Sequence, residues 1–89
     1  MIQRIVYFAG RVQGVGFRYR TCEVARRFAV VGTVQNLADG RVKLVAEGES
    51  AEVGDFVQAV CETMRANIHA HITEDAAHSG SFQGFRIVP

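Results

Sequence analysis

Apolar and polar residues along this chain change period several times, and each change marks an element. Residues 2–9 form a short apolar block rich in the β-formers Ile5, Val6, Tyr7 and Phe8 and bounded by Gly10, which predicts a strand. Beyond a glycine-rich turn the period becomes helical over residues 18–29. There Thr21, Cys22, Ala25, Phe28 and Ala29 share one stripe, while Arg20, Glu23, Arg26 and Arg27 fall largely outside it. Two strand-like runs, 30–36 and 41–47, flank Leu37-Ala38-Asp39-Gly40, and Asp-Gly between such runs predicts a hairpin. Gly48-Glu49-Ser50 breaks the pattern, with Ser50 the expected N-cap of a second helix over 51–65 and Val53 in a staple-like position. Val53, Phe56, Val57, Val60 and Met64 form the inner face of that helix. Residues 68–73 alternate again, with Ile68, Ala70 and Ile72 on one face and His69 and His71 on the other, which is expected to point outward. Residues 75–80 read as a polar loop and 82–88 as a last strand; no linker, internal repeat or low-complexity tract interrupts the chain.

The resulting order, β-α-β-β-α-β with a short C-terminal strand, predicts an α+β, ferredoxin-like split β-α-β sandwich, residues 1–89 making a single domain. Two helices cover one face of a mostly antiparallel sheet. In such a unit the first two strands are parallel with the third between them, so their carboxyl ends meet at one edge of the sheet. The first ends in the glycine-rich turn and the second at Asn36, which shares a face with Val34 two positions earlier.

That turn reads Gly10-Arg11-Val12-Gln13-Gly14-Val15-Gly16-Phe17-Arg18. Glycine lets a main chain approach a ligand closely. The peptide N–H groups of such a loop and of the helix start behind it make an anion site. Arg18 on the first helical turn adds a fork of donors suited to phosphate oxygens. A dinucleotide-binding turn would need a glycine where Tyr19 stands, and a Walker A loop would need Gly-Lys-Ser/Thr, which is absent. A glycine-rich turn carrying a surface arginine fits the same letters, and spacing alone leaves both readings open.

Composition narrows the partners. Eighty-nine residues, 48% hydrophobic and 21% charged, suit one compact domain. A net charge of +1 argues against nucleic acid recruited by bulk electrostatics, so any anion preference is local. No apolar stretch is long enough for a bilayer and no signal peptide is evident, which makes the cytoplasm and no membrane the expectation. Cys22 and Cys61 lack zinc or redox spacing and are expected as reduced, partly buried thiols, a disulfide between the two antiparallel helices being a minor alternative.

Residues 10–18, followed by Gly32-Thr33-Val34-Gln35-Asn36-Leu37-Ala38-Asp39-Gly40-Arg41-Val42, resemble the paired signature of the acylphosphatase family, and Phe82-Gln83-Gly84-Phe85-Arg86-Ile87 is similar to its last strand. The resemblance spans essentially the whole chain. It implies metal-independent, cofactor-free hydrolysis of acyl phosphates to a carboxylate and phosphate. The implied catalytic residues are Arg18 and Asn36, with the phosphate held by the loop Gln13, Gly14, Val15, Gly16, Phe17 and Arg18. Because a carboxylate leaves without a proton donor, such a site needs only to hold the phosphoryl group, stabilise its charge and aim a water, the last a task for the amide of Asn36. The implied partner is a small acyl phosphate, met by a monomer.

Other readings remain beside this one. Asn36 also suits the shaping of a hairpin ahead of Asp39-Gly40. A carbamoyl-phosphate-handling module of a larger maturation protein would carry the same motifs, although 89 residues without an attached domain weigh against it. A module that binds a phosphorylated ligand without turnover would have no use for Asn36. An RNA-binding sheet is disfavoured by the low net charge and the lack of an aromatic RNA-binding motif. Asp39 reads as turn chemistry, and His69 with His71 would be two metal ligands lacking a third. Two positions depart from the family pattern: Arg20 stands where an apolar or aromatic residue is common, and Thr33 where tryptophan often is. They bear on packing near the first helix and on acyl-group preference.

Overall fold

The computed structural model describes residues 1–89. Its elements are β1 (Ile2–Gly10), α1 (Phe17–Ala25), β2 (Val30–Asn36), β3 (Val42–Gly48), α2 (Ser50–Thr63), β4 (Ile68–Ala77) and β5 (Phe85–Val88). The five strands form one sheet in the order β4-β1-β3-β2-β5, antiparallel except where β2 and β5 run parallel. This is the expected ferredoxin-like arrangement. β3 separates the parallel pair β1 and β2, so Phe8, Val42 and Asn36 lie in one row across the sheet. At about 4.8 Å per strand, Asn36 stands about 10 Å from the end of β1, close enough for both to border one small ligand.

Alternation decides which face is covered. Val6, Phe8, Val34, Val42, Leu44 and Ala46 point to the helices and are buried with Val53, Phe56, Val57 and Val60 of α2 and Phe17, Val24 and Ala25 of α1. α1 stops at Ala25 rather than running to residue 29. The N–H groups of Arg26, Arg27 and Phe28 bond to carbonyls three residues back, which tightens the chain and ends the helix. Ser50 is the first residue of α2 and not its N-cap. Glu49 holds the cap position without a side-chain bond, and Glu52 instead accepts from the N–H of Ala29 at 2.7 Å.

β4 departs most from expectation. It continues to Ala77 through residues expected to be loop, because it pairs with β1 over its whole length. Arg4 adds a two-pronged ion pair to Asp75, Nε to Oδ1 at 2.7 Å and Nη2 to Oδ2 at 2.9 Å. His71 pairs with Phe8 and therefore lies on the helix-side face, its ring 5.9 Å from that of Phe8, while Ile72 pairs with Tyr7 on the open face and is 60% exposed. The helices do not reach over β4, so its apolar–polar alternation does not report burial. No cluster of three His, Cys, Asp or Glu residues gathers around His69 and His71.

From β4 at one edge the chain must cross to β5 at the other. Glu47, on the open face and 1% exposed, holds that crossing: its carboxylate accepts from Ser79 N–H at 2.8 Å, Ser79 Oγ at 2.7 Å, Gly80 N–H at 3.1 Å and Gln3 Nε2 at 2.7 Å. The last strand begins at Phe85, three residues later than its sequence suggests. Phe85 packs edge-on against Phe56 at 5.2 Å and so presses β5 onto the helix layer.

Candidate active site

The loop after β1 is built to leave its amides unpaired. β1 ends in a bulge at Ala9/Gly10, where an added Cβ on Gly10 would meet the carbonyl oxygen of Asn67 at 2.5 Å, and only glycine fits. Arg11 N–H bonds to that same oxygen at 2.9 Å. From Val12 to Tyr19 no turn, loop or cap hydrogen bond has a backbone N–H as donor; Arg20, bonding to Gly16, is the first. Gly14 and Gly16 have φ of 75° and 77°, the left-handed conformation that turns successive N–H groups the same way, and Gly16 is the N-cap of α1. Phe17 anchors this loop. Its ring is 2% exposed and lies 5.2 Å from that of Phe8, while Thr21 Oγ1 donates to its carbonyl at 2.8 Å.

These features open a pocket of about 150 Å³ lined by Gly14, Gly16, Phe17, Arg18 and Asn36 with Val12, Tyr19 and Ile87. Arg18 is the charged residue in that lining. Asn36 follows Val34 on the helix-side face of β2, and its Oδ1 is the buried side-chain oxygen that finds no hydrogen-bond partner in the protein. Buried acceptors are rarely left in this state.

The sequence brings Arg18, Asn36, Gly14, Gly16 and Phe17 to this pocket. Gln13 and Val15 do not line it. Gln13 turns its amide away and donates to the carbonyls of Leu37 at 2.8 Å and Arg41 at 3.0 Å, while the Val15 side chain is exposed. Tyr19 and Ile87 were not expected there. Tyr19 follows Arg18 on α1, and Ile87 arrives because β5 pairs with β2, setting Ile87 opposite Val34. Only the strand order could have revealed the latter.

The hairpin that carries Asn36 is closed by Asp39. Its carboxylate accepts from Arg41 N–H at 3.0 Å and Arg41 Nε at 2.8 Å, which holds its pKa below the usual carboxylate range and occupies it with turn chemistry. Arg20 lies in a shallow exposed groove with Glu23, Arg27 and Thr63, and Thr33 sits on the open face between Val45 and Arg86; neither lines the pocket. Cys22 and Cys61 are both free and half-buried, and burial raises both thiols, with Arg26 partly opposing this at Cys22 and Glu62 adding to it at Cys61.

The acylphosphatase family model matches residues 4–87. This chain belongs to the acylphosphatase family. It is 40% identical over 81 residues to an acylphosphatase of Staphylococcus aureus, covering 89% of this chain and 90% of that one. The crystal structure of acylphosphatase from Bacillus subtilis superposes with a TM-score of 0.89 at 32% identity, covering all of both chains. Full-length HypF in a phosphate- and nucleotide-bound form is similar at 25% identity and a TM-score of 0.79, but this chain covers 12% of it. Family membership with near-complete two-way coverage makes this chain a hydrolase of acyl phosphates, acting on a phosphorus-containing acid anhydride.

Proposed function

We propose that Arg18 and the unpaired amides of residues 13–18 hold the phosphoryl group of an acyl phosphate, and that Asn36 aims the water that displaces the acyl group. The observation that carries this is that Asn36, whose buried Oδ1 has no partner in the protein, lines the same pocket as Arg18. A water donating to that oxygen would sit beside the phosphorus with a lone pair free to attack it. Its oxygen forms the new P–O bond while the P–O bond to the acyl group breaks, and the water's proton passes to phosphate or solvent. The acyl group leaves as a carboxylate, the conjugate base of an acid with pKa about 4, so no general acid is needed. The amides and the Arg18 fork oppose the charge on the three remaining phosphoryl oxygens throughout, which is the main work of catalysis in such transfers.

Nothing in this sequence of events calls for a metal or cofactor. We also read residues 1–89 as one functional unit, a monomer at work in the cytoplasm, a reading that fits the two free thiols. The test is hydrolysis of benzoyl phosphate in EDTA. Turnover by the wild type, reduced ~10²–10³-fold in folded Arg18→Ala and Asn36→Ala variants, supports the reading. A wild type that binds phosphate without turnover would make the chain a binding module.

A further inference from the structure

Of the five large apolar side chains exposed on this chain, Tyr19 and Ile87 line the phosphate pocket and Val15 lies on the loop between Gly14 and Gly16, leaving only Met1 and Ile72 elsewhere. Tyr19 is 66% exposed and Ile87 44%. They come from different elements, α1 and β5, and line one pocket. Solvated apolar side chains scattered singly need no explanation, but a cluster beside a binding pocket does.

The pocket itself is small. At about 150 Å³ it falls below the roughly 300–1,000 Å³ of pockets that enclose a drug-sized ligand. It can take a phosphoryl group and the atoms next to it, and the rest of the substrate must cross the rim. Arg18 is the sole charged lining residue and already faces the phosphoryl end. A second charge on the acyl chain would therefore find no counter-charge in the lining, whereas an apolar chain would cover Tyr19 and Ile87.

We propose that Tyr19 and Ile87 form the acyl-binding lip, and that the enzyme prefers acyl phosphates with an apolar acyl group, aromatic or branched, over acetyl or carbamoyl phosphate. This rests on the reading of the pocket as the phosphoryl site. The two residues determine specificity and leave the attack on phosphorus to Arg18 and Asn36. The stacking edge of Tyr19 suits an aromatic acyl group in particular.

Acylphosphonates, whose C–P bond cannot be hydrolysed this way, separate binding from the intrinsic reactivity of each substrate. Benzoylphosphonate should inhibit the wild type about ten-fold more tightly than acetylphosphonate, the effect of removing roughly two methylenes' worth of surface from water. In the Tyr19→Ser/Ile87→Ser variant, whose changes lie on exposed positions and whose fold is checked by circular dichroism, that ratio should fall to about two or less. The ratio of kcat/KM for benzoyl over acetyl phosphate should contract with it. Equal inhibition of the wild type by both compounds, or a ratio unchanged by the substitutions, overturns the lip while leaving the phosphoryl site intact. Failure of the wild type to hydrolyse any acyl phosphate overturns the underlying reading and the lip with it.

Discussion

Gln13 Nε2 lies 2.8 Å from the carbonyl oxygen of Leu37, joining the glycine-rich loop after β1 to the residue that directly follows Asn36. A second bond, to the carbonyl of Arg41 at 3.0 Å, reaches the far side of the same hairpin turn. One side chain thus spaces the glycine-rich loop against the hairpin that carries Asn36.

Gln13→Ala is expected to lower kcat ~10- to 100-fold, since a misplacement of about 1 Å between reacting groups costs on the order of 10² in rate. The proposed mechanism assigns phosphate affinity to the loop amides and Arg18, so the inhibition constant of inorganic phosphate should move by less than about three-fold. Steady-state kinetics with phosphate as competitive inhibitor separates the two. A purely structural role would weaken phosphate binding and kcat together.

If water attacks phosphorus, hydrolysis in ¹⁸O-labelled water places the label in phosphate and none in the carboxylate. Arg18 and Asn36 converge on the pocket lined by the glycine loop, which suits the phosphoryl end of the substrate. Mass spectrometry of the products decides it, and label in benzoate would move the attack to the acyl carbon.

Glu47 governs how stability responds to acid. Burial pushes its pKa up, but the hydrogen bonds from the Ser79 hydroxyl, the Ser79 N–H, Gln3 and Gly80 outweigh that and bring it from 4.5 down to about 2. A carboxyl depressed by folding contributes stability that is complete above its unfolded pKa and is lost as pH falls through its folded pKa. The unfolding free energy of the wild type should therefore decline between about pH 5 and pH 2. Glu47→Gln should be less stable at neutral pH, and the difference between the two proteins should shrink across that window. Chemical denaturation at a series of pH values measures both, and a constant difference would remove Glu47 from the acid response.

The thiols stand outside the chemistry. Cys22 and Cys61 line no part of the pocket of Arg18 and Asn36 and are both raised by burial, which keeps the reactive thiolate scarce at neutral pH. Labelling by iodoacetamide at pH 7 should be slower than for a free cysteine, and a Cys61→Ala variant should keep the wild-type kcat. A large loss in that variant would give the thiol a role no contact here suggests.

Much of this architecture was legible because local signals agreed. The runs at 30–36 and 41–47 around Asp39-Gly40 placed β2 and β3 to within a residue, and the handedness of the crossover then set Asn36 beside the glycine loop. β4 was misread beyond residue 73 because an edge strand uncovered by helices carries no burial pattern; pairing with β1 and the Arg4–Asp75 ion pair hold it, and both partners are remote in sequence. Ile87 could not be placed at the pocket for a similar reason: it depends on β5 joining β2 after a crossing that Glu47 clamps from the open face. Gln13 was read as part of the cradle through its backbone N–H; that its side chain would bond to the Leu37 and Arg41 carbonyls was not legible. A motif gives a residue its position in the loop and not the direction of its side chain.

The most direct test sets Asn36→Ala against Arg18→Ala in EDTA, measuring both kcat for benzoyl phosphate and the inhibition constant of inorganic phosphate. Asn36→Ala should lose ~10²–10³ in kcat while holding phosphate within a few-fold of wild type, and Arg18→Ala should lose both. Turnover by folded Asn36→Ala at the wild-type rate would contradict the assignment of its buried oxygen as the holder of the attacking water.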